Sequence, residues 1–107
     1  MIRGFAILFH QDFILDDLIA EYGIELTGDG RDAYGFFKTG IIDGVNAKMY
    51  ARKRSDREFS ANFFAFYGDF ESVKRYYDKV EPKIQERNRR SPPPYATLGT
   101  IQEQTRI

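Results

Sequence analysis

The single histidine, His10, is the first candidate for chemistry, because an imidazole changes its charge near neutral pH. Asp12, Asp16 and Asp17 follow it closely in the sequence. An imidazole beside carboxylates could act as a general base or help to hold a divalent cation. The acids also fit an ordinary helix start, with Asp12 as N-cap and the other two favoured by the helix dipole. A small enzyme or metal binder around His10 is therefore the least favoured hypothesis.

Other familiar sites have little support in the sequence. The chain has no cysteine, which excludes thiolate metal sites and cysteine nucleophiles. Gly28-Asp29-Gly30 has the composition of a phosphate loop, but such loops lead from a strand into a helix, whereas this segment follows a predicted helix. The four serines lie in unrelated contexts. We therefore predict no catalytic residue, no metal and no cofactor, and expect a protein that is not an enzyme.

Basic residues gather in two places, at the end of a predicted hairpin and at the end of a predicted helix. They are Arg52, Lys53, Arg54, Arg87, Arg89 and Arg90. Aromatic rings beside a basic rim bind single-stranded nucleic acid by base stacking and phosphate contacts. However, 16 basic and 16 acidic residues give zero formal charge, so no global field attracts nucleic acid. Binding of single-stranded RNA or DNA is therefore the alternative hypothesis.

Aromatic residues are unusually frequent for a chain of this size. Ten Phe and seven Tyr make up 16% of the 107 residues. One small core has room for only some of these rings, and exposed apolar patches commonly mark a binding surface. We therefore predict an interaction surface formed by Phe37, Tyr50, Phe64, Phe66 and Tyr95.

Hydrophobic periodicity predicts the elements that carry these residues. Residues 2–9 are a nearly unbroken apolar run, which is typical of a buried strand. The spacing over 13–22, after Asp12, predicts an amphipathic helix that ends at Gly23. The glycines and aspartates of 27–32 predict a loop.

Asp43-Gly44 lies between two alternating segments, which predicts a β-hairpin with a two-residue turn. That turn places Ile42 opposite Val45 and Lys38 opposite Met49. Residues 58–67 then predict the third strand of a meander. Its rings are assigned to two faces, with one set beside Phe37 and Tyr50 and the other facing away. The first set is Phe64 and Phe66, and the second is Phe59, Phe63 and Tyr67.

The remaining chain predicts a second helix and a tail. Gly68-Asp69 caps a pattern whose apolar stripe is Phe70, Val73, Tyr77, Val80 and Ile84. Pro82 predicts a kink or restart before the helix ends at Arg90. In the tail, Pro92-Pro93-Pro94-Tyr95 matches peptides that bind WW domains, and 105–107 matches peptides that add to a PDZ sheet.

The predicted order is β-α-β-β-β-α, which favours a two-layer α+β domain with an antiparallel meander and two helices on one sheet face. Residues 1–90 would form this domain, and 91–107 a Pro-rich linker and C-terminal tail. We find neither a signal-peptide pattern nor an apolar run long enough for a membrane span, so we expect a cytoplasmic protein without a membrane partner. The leading hypothesis is a non-enzymatic interaction module. It would dock through its aromatic sheet face and tail onto a protein partner or a second copy of itself.

Overall fold

Seven antiparallel strands form one sheet in the computed structural model, which describes residues 2–90 and 94–104. Two helices complete this small α+β domain. In chain order the elements are β1 (Ile2–Ile14), α1 (Leu15–Tyr22), β2 (Glu25–Asp32), β3 (Gly35–Ile42), β4 (Val45–Lys53), β5 (Phe59–Gly68), α2 (Phe70–Arg90), β6 (Ala96–Leu98) and β7 (Gln102–Gln104). The sheet order is β2-β3-β4-β5-β1-β6, and β7 also pairs with β1. Within the described residues, neither helix is long and apolar enough to cross a membrane.

The first strand is longer than predicted and the first helix starts later. Asp12 belongs to β1, and the N-cap of α1 is Ile14, which makes no side-chain cap hydrogen bond. The predicted capping role of Asp12 is therefore wrong. The predicted end at Gly23 is confirmed, since this glycine is left-handed at φ 68°. The backbone N–H of Ile24 donates to the Ile19 carbonyl at 3.0 Å, which closes the helix end.

The glycine-rich segment 27–32 is part of strand β2 and not the predicted loop. Gly30 lies opposite Phe37 on β3, and a Cβ atom on this glycine would come within 2.7 Å of the Phe37 ring. Gly30 therefore admits a bulky cross-strand neighbour, and it does not form a turn. The loop prediction failed because composition alone does not distinguish a glycine that makes room for a ring on the next strand from a glycine that forms a turn.

The predicted hairpin is confirmed. Asp43 and Gly44 both have positive φ, at 51° and 78°, as a two-residue type I′ turn requires. The register also agrees, with Ile42 opposite Val45 and Lys38 opposite Met49. A tight turn of this kind fixes the alternation of both strands.

One face of the sheet, which we call the core face, carries a dense set of rings. Phe5 and Phe9 of β1 lie on it together with Phe64 and Phe66 of β5, and all four are at most 4% exposed. Tyr22 of α1 lies 6.1 Å from Phe64 between ring centroids, and Tyr76 of α2 lies 5.1 Å from Phe66. Aromatic side chains of both helices thus contact the core face.

The assignment of Phe64 and Phe66 to the face of Tyr50 is wrong. Tyr50 lies opposite Phe63, while Phe64 lies opposite Met49 on the core face. The pairing of β4 with β5 shifts after Tyr50. Because of this shift, Phe59 and Phe63 lie on opposite faces of the sheet, although an even number of residues separates them. This register shift interrupts the alternation along β5, so alternation alone could not settle which rings face inward.

Helix α2 runs unbroken through Pro82 to Arg90. Its start is as predicted, since the Asp69 carboxylate accepts a 3.0 Å hydrogen bond from the Ser72 backbone N–H. Tyr76 is more deeply buried than the predicted Tyr77, and Phe70 is 49% exposed. The buried stripe of the helix is Val73, Tyr76, Val80 and Ile84.

The chain after α2 joins the sheet wherever it is described. Strand β6 pairs with Ile7–Phe9, and β7 pairs with Ile2–Gly4 on the same side of β1. Between the two strands, the Gly99 N–H donates to the Ala6 carbonyl at 2.9 Å. Most of the two tail motifs, namely Pro92, Pro93 and residues 105–107, lies outside the described residues.

Candidate functional site

The sheet face opposite the core face, here called the open face, follows from the strand registers. It is built from alternate residues of the four central strands. They are Phe37, Thr39 and Ile41 of β3, Asn46, Lys48 and Tyr50 of β4, Phe63, Ala65 and Tyr67 of β5, and Gly4, Ala6 and Leu8 of β1. Leu8 and Ile41 are exposed, at 46% and 38%. The face is therefore apolar in large part.

A groove of about 270 Å³ runs along β1 on the open face. Its floor is made by small residues, Gly4, Ala6 and Ala65, which leave a depression in the sheet. Phe63 and Tyr67 line one side. The other side is lined by Gly99 and Thr100, which follow β6, and by Gln102 at the start of β7. Rings beside a small-residue floor give this face relief into which an apolar side chain of a partner can insert.

A polar cluster occupies the β2–β4 side of the open face. The Asp32 Oδ2 atom accepts hydrogen bonds from Lys48 Nζ at 2.8 Å and from the Tyr50 hydroxyl at 2.6 Å. Its other oxygen accepts one from the Tyr34 N–H at 2.8 Å. The Lys48 ammonium also lies 4.2 Å from the centroid of the Phe37 ring. Every charge in the cluster is thus compensated within the chain, and the cluster ties edge strand β2 to β4.

These contacts shift the titration of the three side chains. Hydrogen bonds from Lys48 and then Tyr50 lower the pKa of Asp32 to about 2. Partial burial lowers the pKa of Lys48, but its hydrogen bonds to Asp32 and Tyr50 outweigh this and raise it. Burial and the hydrogen bond to Asp32 raise the pKa of Tyr50. At neutral pH the cluster is therefore an ion pair with a neutral phenol, which leaves no free base for catalysis.

The predicted interaction surface is only partly on this face. Phe37 and Tyr50 lie there with ring centroids 5.9 Å apart. Phe64 and Phe66 are in the core, and Tyr95 is 7% exposed. The rings that sequence reasoning missed are Phe63 and Tyr67. The position of Phe63 opposite Tyr50 would have identified both, had the β4–β5 register been known.

Tyr95 is a buried anchor for the tail and not a surface residue. Its ring centroid lies 5.4 Å from that of Phe9, and its hydroxyl lies 3.0 Å from the Tyr22 hydroxyl. The Arg87 guanidinium stacks 4.1 Å above the Tyr95 ring and donates to the Glu21 carboxylate. Burial raises the pKa of Tyr95 and that of Tyr22. These contacts join α1, α2 and the tail.

The six basic residues predicted to contact nucleic acid each have a carboxylate within 4 Å. The N···O distances are 3.8 Å for Arg52 to Asp12, Lys53 to Asp56 and Arg54 to Glu58, 2.9 Å for Arg89 to Glu86, 3.3 Å for Arg90 to Glu86 and 2.5 Å for Arg87 to Glu21. Arg87, moreover, packs on Tyr95 and not beside the open-face rings. The structure thus does not bring the two basic groups together around an aromatic platform.

His10 contacts the tail through both its ring and its backbone. Its Nε2 atom lies 2.6 Å from the Thr97 hydroxyl, and its backbone N–H donates to the Tyr95 carbonyl at 3.0 Å. Asp12 pairs with Arg52. In residues 2–90 and 94–104, no three histidine or acidic side chains are grouped as a metal would need. His10 therefore serves, on the described contacts, to hold β6 against β1.

Comparison of this chain with protein-family models, with curated proteins and with solved structures finds no match to any of them.

Proposed function

We propose that this protein is a non-enzymatic interaction module that docks protein through its open face, with a second copy of the chain as the occupant. In this proposal the domain has two layers, in which both helices cover the core face and the opposite face is left for a partner. The observation that carries the proposal is the open face itself. It presents partly exposed Phe63 and Tyr67 beside a small-residue groove and exposed Leu8.

The size of the face supports a second copy as occupant. The five long strands, β1 to β5, average between nine and ten residues. At about 3.3 Å per residue and about 4.8 Å between strands, they give a face of roughly 750 Å². A stable complex of standard size buries about 800 Å² on each partner. Sheets that pack face to face in this way interdigitate side chains at a separation of about 10 Å.

The charge of the face also favours docking against itself. The side chain of Lys48, which lies on the open face, is 13% exposed and pairs with Asp32. Two copies can therefore dock through this face without burying this lysine as an unpaired charge. The outer strand β2, in contrast, carries charged residues and a register irregularity near Gly28, both of which discourage edge-to-edge pairing. The face is therefore a better contact than the sheet edge.

The proposal is tested by a matched pair of variants in sedimentation velocity over a range of protein concentrations. Leu8→Glu places a charge on the open face at a side chain that is 46% exposed. Phe70→Glu introduces the same charge at a side chain of similar exposure, 49%, that lies on α2 beside Arg3 and away from the open face. We expect the wild type and Phe70→Glu to dimerise as concentration rises, while Leu8→Glu stays monomeric. In dilute protein, in which the wild type is also monomeric, Leu8→Glu should keep the wild-type melting temperature.

A wild-type protein that is monomeric at every concentration excludes the second copy and leaves a different protein as the occupant. Dimerisation that Phe70→Glu abolishes and Leu8→Glu tolerates would place the contact elsewhere. Docking of nucleic acid on the open face is less well supported, because the described basic residues proposed for it are paired with carboxylates.

A further inference from the structure

A second depression lies on the core face, at the end of the sheet formed by β2, β3 and the end of β4. It measures about 360 Å³, which lies within the range of small-molecule sites. The residues that line it are Arg31, Phe36, Ala51, Lys53 and Phe59, all from strands. We call it the Phe36 cavity.

The floor of the Phe36 cavity is aromatic and apolar. The rings of Phe36 and Phe59 are stacked, with centroids 5.4 Å apart and planes 23° from parallel. Ala51, which is 8% exposed, leaves space beside them. Two ordered rings next to a small residue form a surface on which a planar group can pack.

The rim of the cavity is cationic. Arg31 and Lys53 line it from β2 and β4, and the Arg31 guanidinium lies 5.9 Å from the centroid of the Phe36 ring. Lys38 lies close by, with its ammonium 5.1 Å from the Phe59 ring centroid. In the described part of the chain, neither Arg31 nor Lys38 has a carboxylate within 4 Å. Lys53 reaches only Asp56, at 3.8 Å, and that carboxylate is fully exposed, so the pair is weak.

From this combination we infer that the Phe36 cavity binds a nucleotide, either free or at the end of a single strand. The planar base packs against the edge of the Phe36–Phe59 pair, because Arg31 and Lys38 lie over the two rings. The phosphate meets Arg31 and Lys53. Arginine suits this role because its planar fork can donate two hydrogen bonds to one phosphate. These cations differ from the six predicted contacts except for Lys53, and the site lies on the opposite side of the sheet from the open face.

Isothermal titration calorimetry with four probes tests the inference. The probes are adenosine 5′-monophosphate, adenosine, inorganic phosphate and a ten-residue oligothymidylate. We expect the monophosphate to bind more tightly than adenosine or phosphate alone, because only it engages both the rings and the cations. The double variant Arg31→Ala/Lys53→Ala should weaken this binding at least about tenfold, since it removes two charge-assisted contacts.

Three controls make the result specific. Arg75→Ala removes an exposed cation of α2 and should leave binding unchanged. Leu8→Glu alters the open face and should also leave it unchanged, so failure of this inference and of the proposed docking are separate results. Phe36→Leu keeps an apolar side chain but removes a ring. We expect it to weaken the monophosphate more than inorganic phosphate.

The four probes distinguish a free nucleotide from the end of a single strand. Binding of the monophosphate that depends on Arg31 and Lys53 supports a free nucleotide as the ligand. Binding of the oligothymidylate alone, with the same dependence and a loss of affinity at higher salt, supports a single-strand end. Equal affinity for phosphate and the monophosphate, or no heat with any probe at millimolar concentration, overturns the inference.

Discussion

The two ends of the sheet are stabilised by different physics. At the end built from β5 and β1, rings such as Phe9 and Phe64 pack in a dry core at centroid distances of 5 to 6 Å. At the end built from β2 and β3, no described residue of β2 is buried, and Gly40 alone is buried on β3. There, Asp32 bridges to β4, and cations lie over aromatic rings. Burial of apolar side chains thus stabilises the β5–β1 end of the sheet, while ionic and cation–π contacts stabilise the β2–β3 end.

The difference has a consequence for dynamics. Segments with few buried apolar contacts open locally at a lower free energy than the global unfolding reaction. We therefore expect β2 to open before β5, and more readily at acid pH, at which its main bridge is lost.

The largest expected effect comes from two neighbouring phenylalanines on opposite faces. Phe64→Ala removes a ring that is 0% exposed and should cost about 3–5 kcal/mol of unfolding free energy. Phe63→Ala removes a partly exposed ring of the open face and should cost less than half as much. Urea denaturation of both variants measures the two losses. Equal losses would show that the open face is as well packed as the core.

A smaller loss is expected at the turn that joins the two ends. Gly44 has φ 78°, which a β-branched residue adopts only with strain. Gly44→Val should therefore cost on the order of 1 kcal/mol or more. The control is Ala33→Val, which introduces the same side chain at an exposed position. A thermal melt in which Gly44→Val matches Ala33→Val would contradict the type I′ turn.

The smallest effect should appear in how stability depends on pH. The pKa of Asp32 is about 2 when folded and 3.8 as its ordinary value, so its stabilisation is present above about pH 4 and disappears as the pH falls through 2. Asp32→Asn should lose stability less steeply than the wild type between pH 4 and pH 2. Asp29→Asn, on the same strand and without an ion pair in the described residues, is the control. Parallel profiles for Asp32→Asn and the wild type would show that the bridge contributes nothing.

Local signals in the sequence predict the hairpin, the end of α1 and the start of α2. Each is fixed by a few adjacent residues, such as Asp43-Gly44 or Asp69. Signals that depend on distant partners fail. Gly30 of β2 makes room for a ring on β3, and the facing of Phe64 depends on a register that shifts within the β4–β5 pair. The Asp32–Lys48–Tyr50 cluster was not predictable because its members lie on strands that flank a third.

If the open face docks a second copy, it is accessible in the monomer and covered in the dimer, and alanine methyl groups report on both states. Ala6 and Ala65 lie opposite each other on the open face, while Ala47 and Ala61 are at most 3% exposed on the core face. Methyl NMR with a soluble paramagnetic probe should broaden Ala6 and Ala65 in dilute protein and spare Ala47 and Ala61. At high concentration the broadening of Ala6 and Ala65 should disappear. Protection of these two methyls at every concentration would show that the open face is not accessible in the monomer. Broadening that persists at the highest concentration would show that a second copy does not cover it.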